Sequence, residues 1–104
     1  MEKELFTAIR AALCQQHVDV TEGRMMSSPA IHYKGKVFAF LSTKQNMVFK
    51  FKNTELLTNY GIPATVFSPF KTKKPLTGWY EVTYQNHQRW KILSEEALAL
   101  AKNN

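Results

Sequence analysis

Lys34-Gly35-Lys36-Val37-Phe38-Ala39-Phe40-Leu41-Ser42-Thr43-Lys44-Gln45-Asn46-Met47-Val48-Phe49-Lys50-Phe51-Lys52 is the stretch that decides the fold. Lys34-Gly35 marks a tight turn. Residues 36–42 form a strand that is apolar on both faces, with Val37, Ala39 and Leu41 on one side and Phe38 and Phe40 on the other. Such a strand is covered on both faces. Residues 43–46 turn the chain again. Residues 47–52 then alternate, with Met47, Phe49 and Phe51 to one side and Val48, Lys50 and Lys52 to the other. That is the period-two pattern of a half-buried strand.

Working outward, residues 24–33 read as one further strand, bent at Pro29, where the ladder lacks a donor. Three strands joined by short turns make an antiparallel meander. Upstream, Leu5, Ile9, Ala12, Leu13 and Gln16 recur at spacings of three and four, so residues 2–16 are predicted to be an amphipathic helix. Glu2 and Glu4 lie in its first turn, where negative charge suits the helix dipole.

Downstream, Asn53 or Thr54 caps a short helix carrying Leu56, Leu57 and Tyr60, and Gly61 with Pro63 stops it. Residues 64–67 are a brief strand, residues 68–78 a loop, and residues 79–84 the last strand. Asn86 opens a final helix to about Ala101, with Trp90, Leu93, Ala97 and Leu100 or Ala101 on its buried stripe. The expected order is α-β-β-β-α-β-β-α, an α+β fold with an antiparallel sheet and terminal helices. At 104 residues the chain is expected to be one domain spanning residues 1–104.

Charge is unevenly placed. Residues 23–80 hold nine of the fourteen basic residues and one of the eight acids, Glu55. That block carries +8 (nine bases less one acid), and the flanks together carry −2 (five bases less seven acids). Lys34, Lys36, Lys50, Lys52, Lys71, Lys73 and Lys74 are the candidate anion or nucleic-acid surface, because phosphate binding needs cations at intervals along one surface. Phe70 and Trp79 are the aromatics placed to stack a base. The competing reading is a solvated Lys face that protects an edge strand from aggregation. Phe38 and Phe40 are the candidate partner face, covered either by a second copy in a symmetric homodimer or by the chain's own central helix and long loop.

Other chemistry finds little footing. His17, His32 and His87 are not spaced as zinc ligands, and no metal or cofactor is expected. Cys14 has His17 three residues on, an arrangement a nucleophile needs, but a free Cys beside an apolar stripe also reads as a small core residue. No catalytic residue and no small-molecule substrate is evident. One cysteine permits no intramolecular disulfide, so the expected compartment is the reducing cytoplasm. No apolar run is long enough to cross a bilayer, and no membrane partner is expected.

Several motifs resemble the TfoX/Sxy N-terminal domain family. They are Gly23-Arg24-Met25-Met26-Ser27-Ser28-Pro29-Ala30-Ile31, then Tyr33-Lys34-Gly35-Lys36-Val37-Phe38-Ala39, Met47-Val48-Phe49-Lys50-Phe51 and Pro75-Leu76-Thr77-Gly78-Trp79-Tyr80-Glu81-Val82, with Trp90 and Ala97 on the last helix. The MmcQ/YjbR family is similar in the same respects. Both resemblances imply a secretion-chaperone-like α+β fold. The TfoX/Sxy pattern carries Phe-Gly where this chain has Met26-Ser27, and a glycine backbone angle is one that Ser27 tolerates poorly. The resemblance implies a non-enzymatic regulatory or adaptor domain, and the Lys cluster motivates the expectation that it contacts DNA or a DNA-bound transcription regulator. The alternative is a chaperone-like protein-binding module or homodimer without nucleic-acid binding.

Overall fold

The computed structural model describes residues 1–68 and 78–103. Helix α1 (Glu2–Gln16) leads into four strands, β1 (Val20–Met25), β2 (Ser28–Tyr33), β3 (Lys36–Leu41) and β4 (Met47–Lys50). Helix α2 (Glu55–Asn59), β5 (Thr65–Val66), β6 (Trp79–Val82), a 3-10 turn (Tyr84–Arg89) and α3 (Trp90–Lys102) complete it. The six strands form one antiparallel sheet in the order β1-β2-β3-β4-β6-β5. The expected α+β architecture with terminal helices is what forms.

The expected single strand over residues 24–33 is instead the end of β1, a turn and β2, which form a hairpin. Val20 to Met25 pairs with Tyr33 to Ser28, leaving Met26 and Ser27 as a two-residue loop. Met26 takes φ +57° there. The left-handed angle thus falls on Met26 and not on Ser27. This geometry costs a side-chain-bearing residue about 1–2 kcal/mol, which is why the dipeptide does not read as a turn. Pro29 precedes Ala30↔Phe40, the first β2–β3 pair, where a missing donor is tolerated. Lys34-Gly35 is the two-residue turn expected, with φ +49° and +82° between the paired Tyr33 and Lys36. Positive φ at both central positions is the twist that suits a hairpin.

The β2–β3 ladder contains a bulge. Ile31 pairs with Ala39 but His32 pairs with Val37, so Phe38 is the extra residue. A bulge reverses the in–out alternation beyond it. Phe38 consequently joins Ala39 and Leu41 in the helix-side core, while Val37 joins Phe40 against the opposite face. The expected grouping of Val37, Ala39 and Leu41 opposite Phe38 and Phe40 is corrected for that reason. On β4 the alternation holds, with Met47, Phe49 and Phe51 in the helix-side core and Val48 on the other face.

Helices α1 and α3 touch each other and pack on the same side of the sheet. Helix α1 buries Phe6, Ile9 and Leu13, at spacings of three and four; Phe6 lies in the stripe, and Gln16 is exposed. Helix α3 buries Trp90, Leu93, Ser94, Ala97 and Leu98. It begins at Trp90, after the 3-10 turn that contains Asn86. Trp90 Nε1 donates to the Thr83 carbonyl at 3.2 Å, and Ser94 Oγ donates to the Trp90 carbonyl at 2.8 Å. These bonds satisfy polar groups that would otherwise be buried at a cost. Asn53 Oδ1 accepts from the Glu55 N–H at 3.0 Å ahead of α2, and Gly61 follows that helix at φ +70°.

Gly23 has a specific steric reason. A methyl group at this position would overlap the imidazole of His32, which lies across the β1–β2 pair and donates from Nε2 to the Arg24 carbonyl at 3.4 Å. Glycine in a strand commonly marks such a close approach. Gly23→Ala is expected to destabilise the fold by about 1–2 kcal/mol. Adding His32→Ala is expected to recover about 1 kcal/mol of it, read from denaturant midpoints in a double-mutant cycle. Strict additivity would show that the ring does not enforce the glycine.

Candidate anion-binding cleft

Antiparallel connectivity decides which lysines meet. Tyr33 ends β2, Lys36 begins β3 and Lys50 ends β4, so Lys34, Lys36, Lys50 and Lys52 gather at one end of the sheet. Lys44, in the β3–β4 turn, lies at the other end. The β3–β4 ladder runs from Leu41↔Met47 to Ala39↔Phe49. Beyond it, next to the Phe38 bulge, a cleft of about 340 Å³ opens between the two strands and the last turns of α3.

All four lysines line this cleft. Its apolar wall comes from Tyr33, Phe38 and Phe51 on the sheet and from Ala97, Leu100 and Ala101 on α3. Lys34 Nζ sits 5.6 Å from the Tyr33 ring centre, and Lys50 Nζ 5.7 Å from that of Trp79. These are cation–π distances. Lys50 Nζ therefore leans toward the sheet face opposite the helices, although the residue also lines the cleft. The four side chains are exposed. Among the described residues the ion pairs are the Met1 amine with Glu4 and Arg10 with Glu22, and neither involves a cleft lysine. Glu55, the lone acid of the basic block, is exposed on α2.

Lys71, Lys73, Lys74 and Phe70 lie outside the described residues. Trp79 is half-buried against Phe40, with ring centres 5.5 Å apart. The partner face expected at Phe38 and Phe40 does not form. The bulge sends the two rings to opposite sides of the sheet, and each is 1% exposed within the single chain. Phe38 lies under the helices. Phe40 is met edge-on by Phe67 at 5.2 Å and by Trp79.

The cationic rim is legible in the sequence; the cleft itself is not. Phe51, Leu100 and Ala101 were legible as inward-facing residues. The β3–β4 ladder ends beside the bulge, for which the local sequence carries no marker glycine.

The remaining reactive groups are engaged elsewhere. His17 Nδ1 accepts from Lys102 Nζ at 3.2 Å, His87 Nδ1 donates to the Tyr84 carbonyl at 2.9 Å, and His32 lies over Gly23. Among the described residues no three His, Cys, Asp or Glu side chains gather as a metal site requires. No helix among them is long and apolar enough to cross a membrane. Family models, curated proteins and solved structures return no match to this chain.

Cys14 is partly buried beside the core. Burial pushes its thiol above the usual value, the Glu22 carboxylate adds to the rise, and Arg10 partly offsets both. Less thiolate is then present at any given pH. Alkylation of Cys14 by iodoacetamide at pH 7 is expected to run at least several-fold slower than that of an unstructured peptide thiol, gaining rate only at more alkaline pH. A rate equal to or above the peptide's would show an activated thiol.

Proposed function

We propose that this domain is a non-enzymatic regulatory or adaptor module that contacts DNA, or a regulator bound to DNA, through Lys34, Lys36, Lys50 and Lys52. The observation that carries this reading is the placement of four exposed lysines at one end of the sheet, with no carboxylate paired to them among the described residues. The resemblance to the TfoX/Sxy N-terminal family supports the regulatory or adaptor part of the reading. Lys71, Lys73 and Lys74 belong to the same basic block in sequence and enter the proposal on that ground alone. The non-enzymatic part is supported by the raised Cys14 thiol and by the histidines' engagement in other contacts.

Four phosphate contacts set a measurable scale. Each neutralised phosphate of duplex DNA contributes a slope of about −0.9 in log K against log salt. The four cleft lysines then give a slope near −3.6, and affinity falls by about two orders of magnitude between 50 and 200 mM salt. Replacing Lys50 and Lys52 with Gln is expected to flatten that slope by about 1.8 units, equally for unrelated DNA sequences. Fluorescence anisotropy with labelled duplexes over this salt range reads both. No binding at low salt, or a slope indifferent to these lysines, overturns the DNA reading.

A second reading is favoured by one observation, the apolar wall of the cleft. Phosphate contacts do not require one, whereas an acidic protein segment with a buried apolar side chain does. Pull-down from native lysate with and without nuclease separates the two: capture that survives nuclease favours the protein partner.

A further inference from the structure

We propose that the cleft between β3, β4 and the last turns of α3 is a binding site for a small amphiphilic anion, an acyl or aryl group carrying a carboxylate or phosphate. The inference rests on the same lysines as the DNA reading but does not require DNA.

Two features of the cleft lining have to be satisfied together. Phe38, Phe51 and Leu100 present an apolar wall, and Lys34, Lys36 and Lys52 stand at its mouth without carboxylate partners among the described residues. A volume of about 340 Å³ lies at the lower end of what small-molecule sites occupy. It suits a short chain or a single ring. Bare inorganic anions leave the apolar wall wet. Neutral apolar molecules leave the ammonium groups without a counter-charge. A ligand with both parts removes apolar surface from water and places its head where Coulomb attraction is strongest. Charge complementarity thus selects an anionic head, and the wall selects an apolar tail.

The unpaired ends of β3 and β4 explain why the site is open. Where Ala39 and Phe49 still pair, the strands lie at hydrogen-bonding distance and no group fits between them. Past that pair no further β3–β4 pairing forms, and the small residues Ala97 and Ala101 of α3 line the space there.

The test is an amide NMR titration of the full chain with octanoate, phenyl phosphate, inorganic phosphate and 1-octanol. Octanoate or phenyl phosphate is expected to move the signals of residues 36–38, 50–52 and 97–101 saturably, at concentrations at least tenfold below those needed for inorganic phosphate or octanol. Leu100→Trp, which fills the cleft, is expected to abolish this response and leave DNA affinity unchanged. Ala101→Glu provides a second variant that places a carboxylate on the cleft wall and weakens the anion at least tenfold. Equal responses to inorganic phosphate and octanoate would overturn the proposal, as would shifts centred away from these residues. Saturation by an Asp-flanked Phe peptide but not by octanoate would overturn it in favour of a peptide groove. Octanoate binding without DNA binding removes only the DNA reading; DNA binding without octanoate binding removes only this one.

Discussion

The β-bulge at Phe38 is the constraint on which the rest of the molecule depends. One extra residue on β3 changes which side of the sheet each neighbour faces. Phe38 goes under the helices beside Ala39 and Leu41, and Val37 goes to the opposite face beside Phe40. Each large ring thereby enters a different core. Without the bulge, strict alternation would place Phe38 and Phe40 on the same face and leave the helix side short of a large side chain. The sheet is therefore filled on both sides by one chain, as a strand of unbroken apolar residues demands.

The same irregularity connects fold to site. A bulge disrupts the ladder locally and bends the strand that carries it. The β3–β4 pairing runs only as far as Ala39↔Phe49, and the cleft begins directly after it. Hairpin topology then delivers the charges: the turn after β2, the start of β3 and the end of β4 share one end of the sheet, and each carries lysine there. Placing those lysines together costs little because they remain exposed. The ammonium groups of Lys34 and Lys50 lie over aromatic rings, a cation–π contact that keeps the charge.

The two faces of the sheet are built differently. On the helix side, Trp90 and Leu93 of α3 and Phe6, Ile9 and Leu13 of α1 cover the strands in a continuous core. On the other side a smaller cluster of Ala30, Phe40, Val48 and Phe67 is closed by Met25, Val37 and Trp79. Phe67 reaches it because its backbone N–H donates to the Trp79 carbonyl at 2.8 Å, extending the β5–β6 pairing by one step. Both arrangements bury large rings within the single chain, Trp90, Phe6, Phe38 and Phe49 on the helix side and Phe40 on the other.

Sequence by itself determined the α+β class, the two terminal helices, the Lys34-Gly35 turn, the inward set Met47, Phe49 and Phe51, and the concentration of basic charge in the strand-rich middle. Each of these follows from periodicity or turn chemistry within a few neighbouring residues. Tertiary structure alone decided the Met26-Ser27 hairpin, the faces taken by Phe38 and Phe40, and the meeting of four lysines with Leu100 and Ala101. The physical reason is that a left-handed angle at methionine and an extra residue in a strand are unfavourable locally. They persist only because the packed core they allow outweighs their cost, and that balance is struck between residues far apart in the chain.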